Sequence, residues 1–194
     1  MDSDTKAIKD WLNQHQISEV ECLVPDITGN ARGKFIPAHQ FLSSGEPRLP
    51  ESILAQSVTG EYSDEHWDFV EPTDADMILR PDAGTMRIVP WAREPTAQII
   101  HDCYTQDGKA HPLATRTVLR NVLALFEADG LTPVVAPEVE FYLVKKNIDP
   151  DNELTPPEGR SGRSESSRLS YSIDAVAEFE DFVEDMYDYA EAQE

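Results

Sequence analysis

Residues 20–38, VECLVPDITGNARGKFIPA, place two apolar-rich runs on either side of a short polar turn, and this does most to limit the folds open to the chain. The run reads as two strands around DITGN, where Gly29 and Asn30 supply permissive backbone. Ahead of it, TKAIKDWLNQH carries Ile8, Trp11 and Leu12 at helical spacing, which predicts a short amphipathic helix. Further short strands are expected near Met77–Arg80, Met86–Val89 and Ala97–Tyr104, separated by the turns PDAG and WAREP. One helix and a small mixed sheet, ending near Lys109, follow from this pattern.

Bulk properties set the outer bounds. A chain of 194 residues with 40% hydrophobic content can bury one sizeable core or two modest ones. Its formal net charge of −21 argues against nucleic acid or an anionic membrane as partner, because both call for a basic footprint. Such a balance also suits a salt-rich setting, where self-repulsion is screened. No apolar run approaches the ~18 residues of a membrane span, so a soluble, cytoplasmic protein is expected. Cys22 and Cys103 sit in apolar, strand-like surroundings and are expected as buried free thiols.

The middle and end of the chain are less regular. From His39 to Asp74 there is no sustained period, which predicts a long, mostly irregular excursion. KAHPLATR marks a boundary before a helix from about Thr115 to Ala128, expected to bury Val118, Val122, Leu125 and Phe126 and to stop at Gly130. A strand TPVVAPEVEFYLV follows, broken by Pro137. Residues 145–170 read as a polar, mobile loop whose Arg160, Arg163 and Arg168 form a local basic patch, able to grip a phosphate or simply solvated. A last helix from Asp174 carries Val176, Phe179, Phe182, Val183, Met186 and Ala190 on one face. With nothing after it to cover that face, the chain is expected to be a portion of a larger domain.

Within that strand, Glu138 and Glu140 stand one residue apart in an apolar run. In extended backbone they project to the same side while Val139 and Phe141 face the other way. Two carboxylates on one side repel unless water screens them or a cation lies between, and their oxygens suit Mg²⁺ or Mn²⁺. An antiparallel strand with one wet face gives the same alternation without a metal. The apolar neighbours Val134, Val135, Tyr142 and Leu143 fall on both faces, which favours a cavity over open water, and pattern alone leaves the two readings level. The five histidines show no ligand spacing, and GRSGRS lacks the flanking strand and helix of a phosphate loop.

Three segments, in order, resemble the glutamine synthetase superfamily. PDITGNARGKFIPAHQF is similar to the hairpin of its N-terminal β-grasp domain, ADMILRPDAGTMRIVPWAREPTAQIIHDCY to the stretch that ends that domain, and PEVEFYL to its metal-binding strand. The RGK of the hairpin, and less specifically SESSRLSYSIDAVAEFEDFVEDM, look more like the γ-glutamyl-polyamine (putrescine) ligase branch. The resemblance implies an α+β fold: an N-terminal helix over 1–15, a β-grasp-like domain over 16–110, and the first elements of a catalytic α/β domain, incomplete, over 111–194. It implies ATP-dependent joining of the γ-carboxylate of glutamate to ammonia or an organic amine through a γ-glutamyl phosphate. Glu138 and Glu140 would each bind one divalent ion, Mg²⁺ or Mn²⁺, with ATP as co-substrate. Partners would be further copies of the chain in stacked rings, with active sites shared between subunits.

Two departures qualify this. Where the family has an acidic DGSS-type segment whose aspartate helps hold ammonium, this chain reads LPESILAQSVTGE, with Glu51 and Ser52 an imperfect substitute. That puts an organic amine at least level with ammonia as nucleophile. The family's remaining metal and ATP motifs lie beyond residue 194, so the chain by itself is expected to be inactive. The competing reading is a non-catalytic β-grasp interaction or assembly module that binds full-length subunits or another protein.

Overall fold

The computed structural model describes residues 3–43, 46–147, 149, 151–164 and 169–193. They form two compact units, Met1–Pro133 with Gln193 and Val134–Ala192.

The first unit opens with α1 (Ser3–Gln14), whose Ile8 and Leu12 lie one turn apart and are both buried. A helix this short is marginal alone. Burying two aliphatic side chains at about 1.5–3 kcal/mol each is what holds it on the sheet. The expected hairpin is present: β1 (Glu19–Pro25) and β2 (Ala31–Pro37) pair antiparallel with Val20 opposite Ile36. Helix α2 (Ala38–Ser43) and strand β3 (Arg48–Pro50) then begin the 39–74 excursion, which is irregular beyond two 3-10 turns at Glu51–Ala55 and Asp64–Asp68.

Strands β4 (Asp76–Pro81), β5 (Arg87–Ile88) and β6 (Thr96–Tyr104) match the three expected after it, although β5 is only two residues long. The sheet order is β2-β1-β6-β4-β3, with β5 also pairing β6. β1 and β6 run parallel, Val20 opposite Ala97, and every other pairing is antiparallel. Parallel neighbours need a long crossover, and the chain between Pro25 and Thr96 supplies it.

Alternation along the central strands puts Val20, Cys22 and Val24, then Ala97, Ile99, His101 and Cys103, on one buried side. Two apolar clusters fill that side. One joins α1 and Phe41 to Val20, Cys22 and Ile99; the other joins Leu49, Leu54 and Ala114 to Met77, Leu79 and Cys103. Both cysteines are free and buried, and burial pushes each thiol up to about 12.

Helix α3 (Thr115–Ala128) has the expected limits. It ends in a Schellman arrangement: Gly130 N–H donates to Glu127 O at 3.0 Å, Leu131 N–H to Phe126 O at 2.9 Å, and Gly130 has φ +70°. Its expected burial is corrected. Val118, Val122, Leu125 and Phe126 are exposed, because spacing defines an apolar stripe but not the surface that covers it.

The second unit corrects two further expectations. Residues 131–147 form no strand, and Val134, Val135, Val139 and Tyr142 are each more than four-fifths exposed. A strand requires a neighbouring backbone for its ladder, and Pro133 and Pro137 donate no N–H. The last helix is two pieces, α4 (Ile173–Ala177) and α5 (Glu180–Ala192). At the break, the Glu178 carbonyl accepts from Arg160 N–H at 2.9 Å and its carboxylate from Ser161 N–H at 2.9 Å. Phe141 meets Phe182 edge-on at 5.8 Å, yet none of the described residues of this unit is buried. Among the described residues no helix is long and apolar enough to cross a membrane.

Candidate functional site

The first unit is most tightly organised where the hairpin turn meets the 39–74 excursion. Asp26 follows β1 directly, with its side chain fully buried. It accepts from Thr28 N–H (2.8 Å), Thr28 Oγ1 (2.7 Å), Asn30 N–H (2.9 Å) and Arg32 Nε (2.7 Å). Burial pushes its carboxyl up, but the Arg32 guanidinium and the other donors outweigh that and hold it below the usual carboxylate range. Gly29, at φ +83°, makes the turn possible. The residues so fixed then hold the excursion: Arg32 Nη2 donates to Ser57 O at 3.0 Å and Asn30 Nδ2 to Val58 O at 3.2 Å.

Within the excursion the two residues singled out at 51–52 are both turned inward. Leu113 N–H donates to His111 Nδ1 at 3.3 Å, which leaves the proton on Nε2 in the neutral ring, and Nε2 lies 3.3 Å from Glu51 Oε2. Ser52 donates from N–H (3.0 Å) and Oγ (2.9 Å) to the two oxygens of Asp74. Tyr62 Oη donates to Ser52 Oγ at 3.1 Å and accepts from Gln56 Nε2 at 2.8 Å.

A third cluster joins sheet to helix. Asp102 of β6 receives Arg116 Nε at 2.8 Å and Arg120 Nη2 at 2.7 Å, and Arg116 also pairs with Asp82. Burial alone raises the Asp102 carboxyl, yet the two guanidinium groups hold it below its ordinary value. On the other side of β6, His101 is buried against Phe41, its Nδ1 2.9 Å from Ile99 O and its Nε2 without a partner among the described residues. Burial lowers His101 to about 4, so the ring is neutral near pH 7.

Glu138 and Glu140 are exposed and lie in the segment that forms no strand, so strand alternation does not set their directions. Among the described residues no three His, Cys, Asp or Glu side chains form a group able to hold a metal ion. In the basic loop, Arg160 is taken by Glu180 at 2.7 Å, while Arg168 lies outside the described residues. Sequence reasoning missed Asp26, although an Asp opening a D-x-T-G-N turn is a turn-capping signal. It also missed Arg116 and Arg120, whose i, i+4 spacing places both on one helix face.

Residues 112–194 match the family model described as glutamine synthetase, catalytic domain. The chain thus belongs to the glutamine synthetase superfamily, as its motifs imply. Over 97% of its length it is 30% identical to the gamma-glutamylputrescine synthetase PuuA of Escherichia coli strain K12, covering 41% of that protein. It is 31% identical to a glutamine synthetase of Halobacterium salinarum over 74% of this chain and 30% of the relative. It is 29% identical to a glutamate–isopropylamine ligase of a Pseudomonas species over 73% and 31%. The chain therefore spans less than half the length of these relatives.

Proposed function

We propose that this chain is part of an ATP-dependent ligase that joins the γ-carboxylate of glutamate to ammonia or an organic amine through a γ-glutamyl phosphate. The observation that carries the reading is the match of residues 112–194, which include PEVEFYL, to the glutamine synthetase catalytic domain. Relatives named for γ-glutamylputrescine and for isopropylamine support an organic amine. So does the inward pairing of Glu51 with His111, which leaves that carboxylate occupied within its own unit. In this reading residues 16–110, within the first unit, are a β-grasp-like domain, supported by a hairpin whose first strand lies parallel to the last. Copies of the protein assemble in rings.

Glu138 and Glu140 would supply carboxylate oxygens to Mg²⁺ or Mn²⁺, with ATP as co-substrate. The donor chemistry fits a hard ion, but the number does not complete it: such an ion takes about six oxygens, and no described third ligand converges. When bound, a divalent ion neutralises charge on a transferring phosphoryl group. The chain's own contribution is two exposed carboxylates free of any ion pair to a described cation.

Manganese binding followed by electron paramagnetic resonance at constant ionic strength tests this. Glu138→Gln with Glu140→Gln should abolish the tightest class of bound Mn²⁺. Equal binding by the variant and the parent would remove the metal assignment.

A further inference from the structure

Every charged residue between Leu49 and Leu79 is acidic, and Tyr62, Trp67 and Phe69 fall inside this stretch. The rings of Tyr62 and His66 lie 4.8 Å apart and those of His66 and Trp67 4.0 Å apart, both tilted, so the three rings form one contiguous stack, called the platform below. Tyr62 is 43% and Trp67 55% exposed, with Phe69 also exposed nearby.

The platform is held in place before anything meets it. A directed chain of hydrogen bonds runs from Gln56 Nε2 to Tyr62 Oη, from Tyr62 Oη to Ser52 Oγ, and from Ser52 Oγ to Asp74 Oδ2, where it ends on a carboxylate. His66 is fixed separately by Nδ1, 2.7 Å from Ser63 O. In the same stretch of chain, Glu61, Asp64, Glu65 and Asp68 are exposed, and the Glu61 carboxylate accepts only from Thr59 Oγ1 among described donors, at 3.2 Å.

Aromatic faces are electronegative and attract cations that approach within about 6 Å of the ring centre. Carboxylates around the rim raise the local concentration of positive ligands and repel anions. Alkyl groups on the cation would gain from contact with the exposed rings, whereas a bare, strongly hydrated ion would not. Neutral apolar ligands would gain nothing from the rim. We infer that the Tyr62–His66–Trp67 platform binds organic ammonium ions that carry alkyl groups. The claim concerns binding and does not depend on turnover or on Glu138 and Glu140.

The probe is butyltrimethylammonium chloride, titrated into the chain while the indole N–H signals are followed by NMR. The Trp67 signal is identified by its absence in Trp67→Phe, and sodium chloride, ammonium chloride and 1-butanol serve as controls at matched concentration. The expected result is a saturable shift at Trp67 with butyltrimethylammonium that the three controls do not reproduce. Trp67→Leu should weaken binding at least tenfold when followed at Tyr62 and His66, and Glu65→Gln with Asp68→Asn at least threefold. An equal shift with sodium chloride reduces the effect to screening and overturns the inference. So does an equal shift with 1-butanol, or full affinity in Trp67→Leu. A Trp67 signal that moves on dilution without any probe assigns the face to a second copy of the chain instead. The Glu65–Asp68 variant alters only exposed side chains, so it decides the question even where Trp67→Leu disturbs folding.

Discussion

Arg116 of α3 donates its Nε to Asp102 Oδ1 of β6 at 2.8 Å, and this polar contact, beside the buried Ala114 that opens the helix, fastens its start to the sheet. The apolar stripe of α3 is exposed along its length, so the arginine contacts carry more of the attachment than such pairs usually do. Asp102→Asn should therefore loosen the first turns of α3, seen as faster amide hydrogen exchange over 116–121. It should lower stability by about 1.5–3 kcal/mol, the range for hydrogen bonds to charged groups. Because the Asp102 carboxyl is held below its ordinary value, its contribution is present above about pH 4 and lost as pH falls below that.

His101 gives a second pH dependence in a higher window. Its folded value of about 4 lies below the ordinary 6.5, so the unfolded chain binds a proton between these values that the folded chain refuses. Stability should be full above pH 6.5, decline as pH falls towards 4 by roughly 3 kcal/mol, and level off below. Urea midpoints at pH 7, 5.5 and 4.5 measure it, and His101→Leu should flatten this part of the profile.

At Asp26 the concern is position as well as stability. Asp26→Ala leaves Arg32 and two turn amides without their acceptor, which should cost about 2–4 kcal/mol. Hydrogen exchange over 57–61 should rise as well, because Arg32 and Asn30 hold the Ser57 and Val58 carbonyls. Unchanged exchange there would show that the excursion stands without the hairpin.

Two hairpin glycines should respond in a fixed order. A Cβ on Gly29 meets no atom, so Gly29→Ala costs only the left-handed backbone, about 1–2 kcal/mol. A Cβ on Gly33 would overlap the Cys22 carbonyl oxygen, so Gly33→Ala must shift the β1–β2 ladder. The larger loss of thermal stability is expected for Gly33→Ala, and the reverse order would overturn the packing argument.

Local chemistry was legible in the sequence wherever one segment suffices to define it. The hairpin, α1, the ends of α3, the three strands after residue 75 and the free thiols all follow from periodicity, turn residues and composition, which act over a few residues. Family membership was legible too, because motifs are local. What covers an apolar stripe was not: Val118, Val122 and Val139 have the spacing of core residues and are exposed, since burial is a property of neighbours distant in sequence. For the same reason the strand around Glu138 and Glu140 failed as an expectation, because a strand exists only with a partner ladder. Only the tertiary structure turned Glu51 towards His111, gave Asp102 its two arginines and stacked Tyr62, His66 and Trp67. Each of these depends on how loops close over a sheet rather than on any run of adjacent residues.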